Sequence, residues 1–180
     1  MSEHNAAIAT RPEAAADHEA IASVVARAFG SPAEAALVEA IRASPSFVAS
    51  WSLVATLDDN VVGHVMASYV ALHDGDTERR VPTLSPLAVD PDAQRRGIGG
   101  ALVRALAAVV DAAREPLIVL EGAPAYYSRF GFEYAAPLGI TITLPEWAPP
   151  EAAQVLRLEH YDADVRGLVV YPPAFDPFTH

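Results

Sequence analysis

The stretch that decides the fold is "AVDPDAQRRGIGGALVRALAAVVDAA", residues 88–113. It starts in an apolar, strand-like run, passes through a turn with two arginines and three glycines, and continues as an unbroken helical pattern. The pattern predicts a strand that ends near Val89 and a helix over residues 97–113. One stripe of this helix is apolar and would anchor it on a sheet; its members are Ile98, Leu102, Leu106, Val109 and Val110.

The junction between this strand and this helix is suited to bind an anion. The first N–H groups of a helix have no intrahelical partner, and the helix dipole adds partial positive charge there. Gly97 and Gly99 leave room for a phosphate, while Arg95 and Arg96 add charged donors. A pyrophosphate fits such a site; the alternative is a tight turn with two solvent-exposed arginines.

Several familiar motifs are absent from the chain. A Walker A loop needs a lysine, and the sequence contains none. A dinucleotide-binding G-x-G-x-x-G that starts at Gly97 would need glycine where Leu102 stands. There is no G-x-S-x-G nucleophile motif, and the six histidines show no metal-binding spacing, so we expect no metal site.

Composition narrows the class of protein. With 180 residues, of which 52% are hydrophobic, we expect a single domain with one well-buried core. The absence of cysteine excludes disulfides and a cysteine nucleophile, and the absence of lysine excludes Schiff-base chemistry. A net charge of −11 argues against nucleic acid as a partner and mildly favours cationic ones. With no apolar run long enough for a membrane span and no signal-peptide pattern, we expect a soluble, cytoplasmic protein.

The predicted elements alternate between helices and strands without a regular repeat. A short strand at residues 8–12 and two helices precede a three-strand meander, followed by the helix over 97–113. The continuous apolar run "PLIVLE", residues 116–121, is typical of a central strand covered on both faces. A short helix, a tight turn at Gly131 and a strand-rich end follow. This order predicts a mixed α/β sheet.

Two of these motifs resemble the GNAT superfamily of N-acetyltransferases. "PLAVDPDAQRRGIGGALV" is similar to its acetyl-CoA-binding motif, with the Q/R-x-x-G-x-G/A core at Gln94, Gly97 and Gly99. "AYYSRFGFE", residues 125–133, resembles the Y-x-x-x-G-F segment that follows the family's fifth strand. Together with "VVYPPAF" near the end, the chain is most similar to the YhbS-type predicted acetyltransferases within that superfamily.

The resemblance implies a particular fold and cosubstrate. The implied sheet is mixed, mostly antiparallel, flanked by helices and splayed between strands 4 and 5, within a single domain over residues 8–171 that has tails at 1–7 and 172–180. It implies acetyl-CoA as cosubstrate, with pantetheine amides paired to the backbone of a bulged fourth strand and the pyrophosphate on the glycine loop. The cofactor-binding residues implied are Leu87, Ala88, Val89, Arg95, Arg96, Gly97, Ile98, Gly99 and Gly100.

The resemblance also implies catalytic roles. Tyr127 occupies the family's tyrosine position and would act as general acid toward the departing thiolate; the alternative is a packing residue. Glu121, at the carboxyl end of an apolar strand, is the candidate base, with an exposed strand-end carboxylate as the alternative. His64 could relay a proton or be a core histidine, Ser85 could hold a water, and a water chain could replace the base altogether.

The function expected is acetyl-CoA-dependent transfer of an acetyl group to a primary amine of a small molecule or peptide, by a monomer or homodimer. Relatives often carry Asp at the position of Ala123 and Asn near that of Leu120, so polar contacts there are in question. Two other readings stay open: a non-catalytic acyl-CoA-binding sensor of the same fold, and an interaction domain with a vestigial pocket.

Overall fold

The computed structural model describes residues 7–178, and its strands form one mixed sheet. The order across the main path is β1-β2-β3-β4-β5-β8-β6, while β9 pairs with β3 and β7. The strands are β1 Ile8–Pro12, β2 Phe47–Leu57, β3 Asn60–Asp74, β4 Thr77–Val89, β5 Leu117–Glu121, β6 Glu133–Tyr134, β7 Ile140–Thr141, β8 Ala153–Arg157 and β9 Gly167–Val170. The predicted mixed, mostly antiparallel sheet is therefore confirmed.

The helices cover the two faces of this sheet. They are α1 His18–Phe29, α2 Ala33–Arg42, α3 Ile98–Ala112 and the one-turn α4 Pro124–Tyr127. The apolar stripe of α3 packs with inward residues of β2, β3 and β5, whereas α1 and α2 cover the opposite face. Within the described part of the chain, no helix has the length and apolar character that crossing a membrane requires.

The predicted hairpins are longer than the sequence indicated. β3 and β4 pair from Gly63↔Val89 out to Asp74↔Thr77, so the polar and charged residues 77–80 belong to β4 and not to a loop. The turn between them contains Gly75 with a positive φ of 58°. Backbone hydrogen bonds thus continue along residues whose side chains are exposed. Hydrophobic periodicity does not reveal such pairing, because it reports only which side chains are buried.

β4 carries the bulge that the family resemblance implied. Val65 pairs with Leu87 and Ala67 with Leu84, so Ser85 and Pro86 stand opposite the single residue Met66. A bulge of this kind bends a strand and increases its twist.

The parallel contact between β4 and β5 is short. It consists of one residue pair, Thr83↔Val119, supported by a hydrogen bond of 3.1 Å from the Thr83 hydroxyl to the Val119 carbonyl. Beyond Thr83 the two strands separate within the described residues, which confirms the expected splay. The segment of β4 that follows the bulge therefore pairs with β3 on one edge and leaves its other edge toward the gap.

The end of the chain differs from the expected tail. Residues 173–178 form a 3₁₀ helix, Pro173–Phe178, and Phe175 is only 4% exposed in the core under α1 and α2. The Tyr171 and Phe175 rings pack against each other with centroids 5.0 Å apart, a contact that stabilises the segment against the core. The outermost parts of the two expected tails, residues 1–6 and 179–180, lie outside the described residues.

Candidate active site

A cavity of about 570 Å³ lies at the N-terminus of α3, between β4 and the segment after β5. Its walls contain every cofactor-binding residue that the resemblance implied except Arg96, which is exposed. Three further parts of the chain complete the walls: α1 with Ala28 and Phe29, α3 with Arg104, and the α4 region with Tyr126, Arg129 and Phe130.

The loop before α3 borders this cavity and is held by its own backbone geometry and by local contacts. Arg95 and Gly97 both have positive φ, 64° and 79°, so the chain turns sharply where the helix begins. Gln94 donates a side-chain hydrogen bond of 3.2 Å to the Val89 carbonyl, which holds the loop against the end of β4. Ile98, 1% exposed, anchors the first turn in the core.

The acidic residues of this loop are directed away from the cavity. Arg27 of α1 binds Asp90 at 2.6 Å and Asp92 at 2.9 Å, so both carboxylates are engaged on the α1 side. Asp90 also accepts the backbone N–H of Asp92 at 2.9 Å, which fixes the short 3₁₀ turn at Pro91–Ala93. Neither carboxylate lines the cavity.

Aromatic and cationic side chains form the outer wall. Arg104 lies 5.1 Å from the centroid of the Phe130 ring, and Arg129 lies 4.6 Å from that of Tyr126. With Arg95, three arginines and no carboxylate line this cavity among the residues that the structure describes, in a chain whose net charge is −11. Tyr126 and Arg129 lie within the motif at residues 125–133, but that motif did not indicate that they line the cosubstrate cavity, and Arg104 lies just beyond the glycine-loop motif; their convergence depends on tertiary packing.

A second cavity, of about 420 Å³, lies on the other side of the splay. Glu121, at the end of β5, and Asp176 both line it, and no arginine or histidine of the described part of the chain does. The Tyr171 hydroxyl donates a hydrogen bond of 2.6 Å to Glu121 Oε2. Burial, with the neighbouring carboxylate, raises the pKa of Tyr171, so this phenol remains a donor.

The two cavities border consecutive parts of β4. Thr83, Leu84 and Ser85 line the cavity with Glu121, and residues 87–89 line the cavity with the three arginines. The bulge at Ser85 and Pro86 separates these two parts. Two ligands, one in each cavity and both extended along β4, would therefore approach each other at the bulge.

Tyr127 lies near this junction but lines neither cavity. It is half-buried, its ring packs edge-on against Tyr126 and Phe132, and Gly122 lies against its edge without room for a β-carbon. Burial raises the pKa of Tyr127 to about 12, so its hydroxyl stays protonated at neutral pH.

His64 is fully buried in a polar network under α1 and α2. One of its ring nitrogens, Nε2, lies 2.9 Å from the Ser52 hydroxyl and 3.5 Å from Glu13 Oε2. Glu13 also binds Arg42 through two hydrogen bonds of 2.9 and 3.0 Å. Since His64 lines neither cavity, this placement supports its interpretation as a core histidine.

Metal-binding side chains come together at one place that the sequence did not suggest. Ligand atoms of Asp111, Glu159 and His160 lie within 4.8 Å of one another at the surface. The Asp111 carboxylate accepts a hydrogen bond of 3.0 Å from the Glu159 backbone N–H. This hydrogen bond is enough to explain why Asp111 lies close to Glu159 and His160. The group lies outside both cavities.

Comparison with known proteins gives a consistent assignment. Residues 9–135 match the family model described as acetyltransferase (GNAT) domain. The chain is 36% identical to the uncharacterized N-acetyltransferase YhbS of Escherichia coli K12 over 172 residues, 93% of this chain and 98% of that protein.

Two crystal structures are similar over almost the whole chain. The E. coli YhbS complex with CoA has a TM-score of 0.86 at 32% identity and covers 99% of this chain and 97% of that one. A GNAT family acetyltransferase from Brucella melitensis, in complex with acetyl-CoA, has a TM-score of 0.76 at 30% identity, with coverages of 96% and 100%. From the sequence match and the fold together, this chain belongs to the GNAT family of N-acetyltransferases.

Proposed function

We propose that this chain transfers the acetyl group of acetyl-CoA to a primary amine of a small molecule or peptide, by direct attack of the amine on the thioester. The observation that carries the proposal is the opposite charge of two cavities that adjoin on β4. Among the residues that the structure describes, one is lined by three arginines and no carboxylate, and the other by the Glu121 carboxylate and no arginine or histidine. An anionic cosubstrate and a cationic amine acceptor would be sorted to opposite sides of the bulge.

The chain's residues fit coenzyme A in their chemistry. The first amides of α3, preceded by Arg95 and Gly97, offer N–H donors and dipole charge to a pyrophosphate. Gly99 and Gly100 place no side chains of their own on that approach, and Arg104 and Arg129 add charge at the rim. The similar structures from E. coli and B. melitensis contain CoA and acetyl-CoA, which supports the same ligand here.

The pantetheine amides would bind the exposed edge of β4. Leu87, Ala88 and Val89 pair with β3 through one edge, and β5 pairs with β4 only at Thr83. The other edge of residues 87–89 can therefore add an extended ligand as a further strand would. Backbone N–H groups at the bulge would then stabilise the oxyanion that develops on the thioester carbonyl.

Glu121 is the group we propose as base. An alkyl amine with a pKa of about 10 is mostly protonated at neutral pH and must lose a proton before it attacks. Glu121 lines the acceptor-side cavity, and Tyr171 holds one of its oxygens, leaving the other to accept that proton directly or through a water. The role as a mere strand-end carboxylate is the alternative.

Tyr127 is the group we propose as acid. A phenol with a pKa of about 12 is protonated before the reaction, as an acid must be. Transfer to a thiolate of pKa roughly 8.5 is uphill, so Tyr127 would stabilise the departing sulfur mainly through a hydrogen bond that strengthens as charge develops.

One observation favours a second candidate function, an acyl-CoA-binding sensor without turnover. Tyr127 lines neither cavity and packs like a core residue. Both candidates predict binding of acetyl-CoA, and only the enzyme predicts consumption of it.

The deciding experiment has two measurements on the same protein. Acetyl-CoA at about 100 times its dissociation constant should stabilise the fold by roughly 2.7 kcal/mol, seen as a rise in Tm. Release of free thiol is then followed with a panel of amines. Thiol release that depends on both amine and Glu121 supports the enzyme; a Tm shift with no release from any amine supports the sensor.

A further inference from the structure

The acceptor-side cavity has a wall chemistry more specific than the proposed reaction requires. Glu121 supplies a carboxylate to its wall, and among the residues that the structure describes no arginine or histidine lines it. Thr83, Ser85 and Thr143 add hydroxyl groups. The apolar part of the wall comes from α2, the loop after β7, β9 and the closing 3₁₀ helix, and it includes Leu37, Leu144, Leu168, Phe175 and Phe178.

The position of Glu121 orients an acceptor within this cavity. The hydrogen bond from Tyr171 fixes the carboxylate at the end of β5, next to the splay. An ammonium group would gain its charge contact there, and the rest of the molecule would lie against the leucine and phenylalanine side chains. A carboxylate or phosphate attached next to the amine would be brought toward Glu121, and no arginine or histidine among the described residues of the wall would balance it, which is strongly unfavourable.

The volume agrees with a small molecule. About 420 Å³ lies within the roughly 300–1,000 Å³ that is usual for small-ligand sites. Apolar walls with a few placed polar groups are typical of such sites.

We infer that the acceptor is a primary amine on an apolar body with no anionic group near the nitrogen, an alkyl- or arylalkylamine rather than an amino acid or a phosphorylated amine. The inference rests on the proposed N-acetyltransferase function, because it assigns this cavity to the acceptor of that reaction. The inference states which class of primary amine is the acceptor, whereas the proposed function requires only that the acceptor be a primary amine.

The test compares three amines that share one ring and one chain. These are 2-phenylethylamine, phenylalaninol, which adds a neutral hydroxymethyl group beside the nitrogen, and phenylalanine, which places a carboxylate at the same carbon. We expect kcat/KM for the first two to exceed that for phenylalanine by about tenfold or more. Phenylalaninol separates the effect of charge from the effect of size.

A variant tests whether this cavity makes the selection. Leu168 on β9 is 42% exposed and lines the cavity, so an arginine can be accommodated there with its charge at the wall. Leu168→Arg should raise kcat/KM for phenylalanine relative to 2-phenylethylamine by about tenfold, while Leu168→Met, of similar size and uncharged, should keep the wild-type order of preference.

A binding measurement separates this inference from the proposed function. The three amines are titrated into protein saturated with CoA, with the Tm shift as readout. Tighter binding of 2-phenylethylamine and phenylalaninol than of phenylalanine supports the inference even if no amine is acetylated, a result that would overturn the activity alone. Equal or tighter binding of phenylalanine, or preference for a lysine-containing peptide over all three, overturns the inference and leaves the activity standing.

Discussion

The Tyr126 hydroxyl lies directly against the α-carbon of Gly99, so that a β-carbon at residue 99 would overlap it. This contact joins the first turn of α3 to the α4 region across the arginine-lined cavity. Glycine at position 99 is therefore required by packing as well as by the loop motif. The absence of a β-carbon leaves room for the Tyr126 hydroxyl and also leaves the helix amides accessible.

The first prediction is that Gly99→Ala weakens acetyl-CoA binding because the new methyl group displaces Tyr126. Overpacking of this kind costs about 1–3 kcal/mol, which corresponds to roughly 5- to 150-fold in the dissociation constant if the cost falls on the bound geometry. Isothermal calorimetry gives the affinity, and Tm shows that the variant is folded.

The double variant Gly99→Ala/Tyr126→Phe is the matched control for this first prediction. Without the hydroxyl, the nearest ring atom, Cζ, lies 3.6 Å from the new β-carbon, an ordinary contact. Affinity should recover most of the loss. Equal weakening in the single and double variants would show that the methyl group acts on the phosphate and not through Tyr126.

The second prediction separates the two adjacent tyrosines by what each change affects. Tyr127→Phe should lower turnover by about 10²–10⁴-fold with little change in acetyl-CoA affinity, since its hydrogen bond to the departing sulfur strengthens only in the transition state. Tyr126→Phe removes the neighbouring hydroxyl and should leave turnover within about threefold of wild type. Steady-state kinetics and calorimetry on both variants check this. Near-wild-type turnover of Tyr127→Phe would show that Tyr127 is a packing residue with no part in the chemical step.

The mixed sheet with flanking helices could be predicted from the sequence because two local patterns indicate the same arrangement of strands and helices. The glycine loop needs a strand before it and a helix after it, and the apolar run at residues 117–121 needs a sheet around it. Once the order of these elements is known, the splay between β4 and β5 follows from the family resemblance. The packed segment at 173–178 was missed because its prolines look like a loop, while the ring of Phe175 determines its position.

The walls of the two cavities could be predicted only in part. Residues within the loop motif, from Arg95 to Gly100, are consecutive, so a local pattern identifies them. Arg129 and Tyr171 lie in the motifs at residues 125–133 and 169–175, and Arg104 follows the glycine loop, but these local patterns do not show which side chains meet at the site. That depends on the packing of α3, the α4 region and the segment after β9. Glu121 was found because the carboxyl end of a buried strand is a defined place in an open sheet.

The third prediction tests Glu121 and Tyr171 as one unit. Glu121→Gln should lower turnover by about 10²–10⁴-fold at pH 7, and Tyr171→Phe by less, since it removes only the hydrogen bond that holds the base. If Tyr171 acts through Glu121, the double variant should be no slower than Glu121→Gln alone. Additive losses would mean that Tyr171 acts by another route.

The pH profile gives this third prediction an independent readout. Above a pH of about 10 an alkyl amine is already neutral and no longer needs a base. The difference in turnover between wild type and Glu121→Gln should therefore become smaller as pH rises toward that value. A deficit that stays constant across the range would remove Glu121 from proton transfer.

The fourth prediction concerns stability and rests on the buried network of Glu13, Arg42, Ser52 and His64. Burial lowers the pKa of His64, although the Glu13 carboxylate opposes that shift. Burial alone would raise the pKa of Glu13, but hydrogen bonds from His64, Arg42 and Ser52 outweigh it and hold that pKa well below its usual 4.5. In both cases the unfolded chain takes up a proton that the folded protein does not.

The sign of the pH dependence follows from these two shifts. Stability should decrease as pH falls below 6.5, where unfolded His64 becomes protonated, and again below 4.5, where unfolded Glu13 does. Each group contributes a slope of up to about 1.4 kcal/mol per pH unit. His64→Gln should flatten the first interval.

Glu13→Gln should flatten the lower interval and also cost about 3 kcal/mol at pH 7, because it leaves the largely buried guanidinium of Arg42 without its main partner. Urea unfolding of these variants between pH 4 and 8 measures both effects. A stability profile of His64→Gln that runs parallel to wild type from pH 6.5 to 5 would show that His64 titrates alike in the folded and unfolded chain. Glu13→Gln with wild-type stability at pH 7 would show that the ion pair with Arg42 contributes nothing net to the fold.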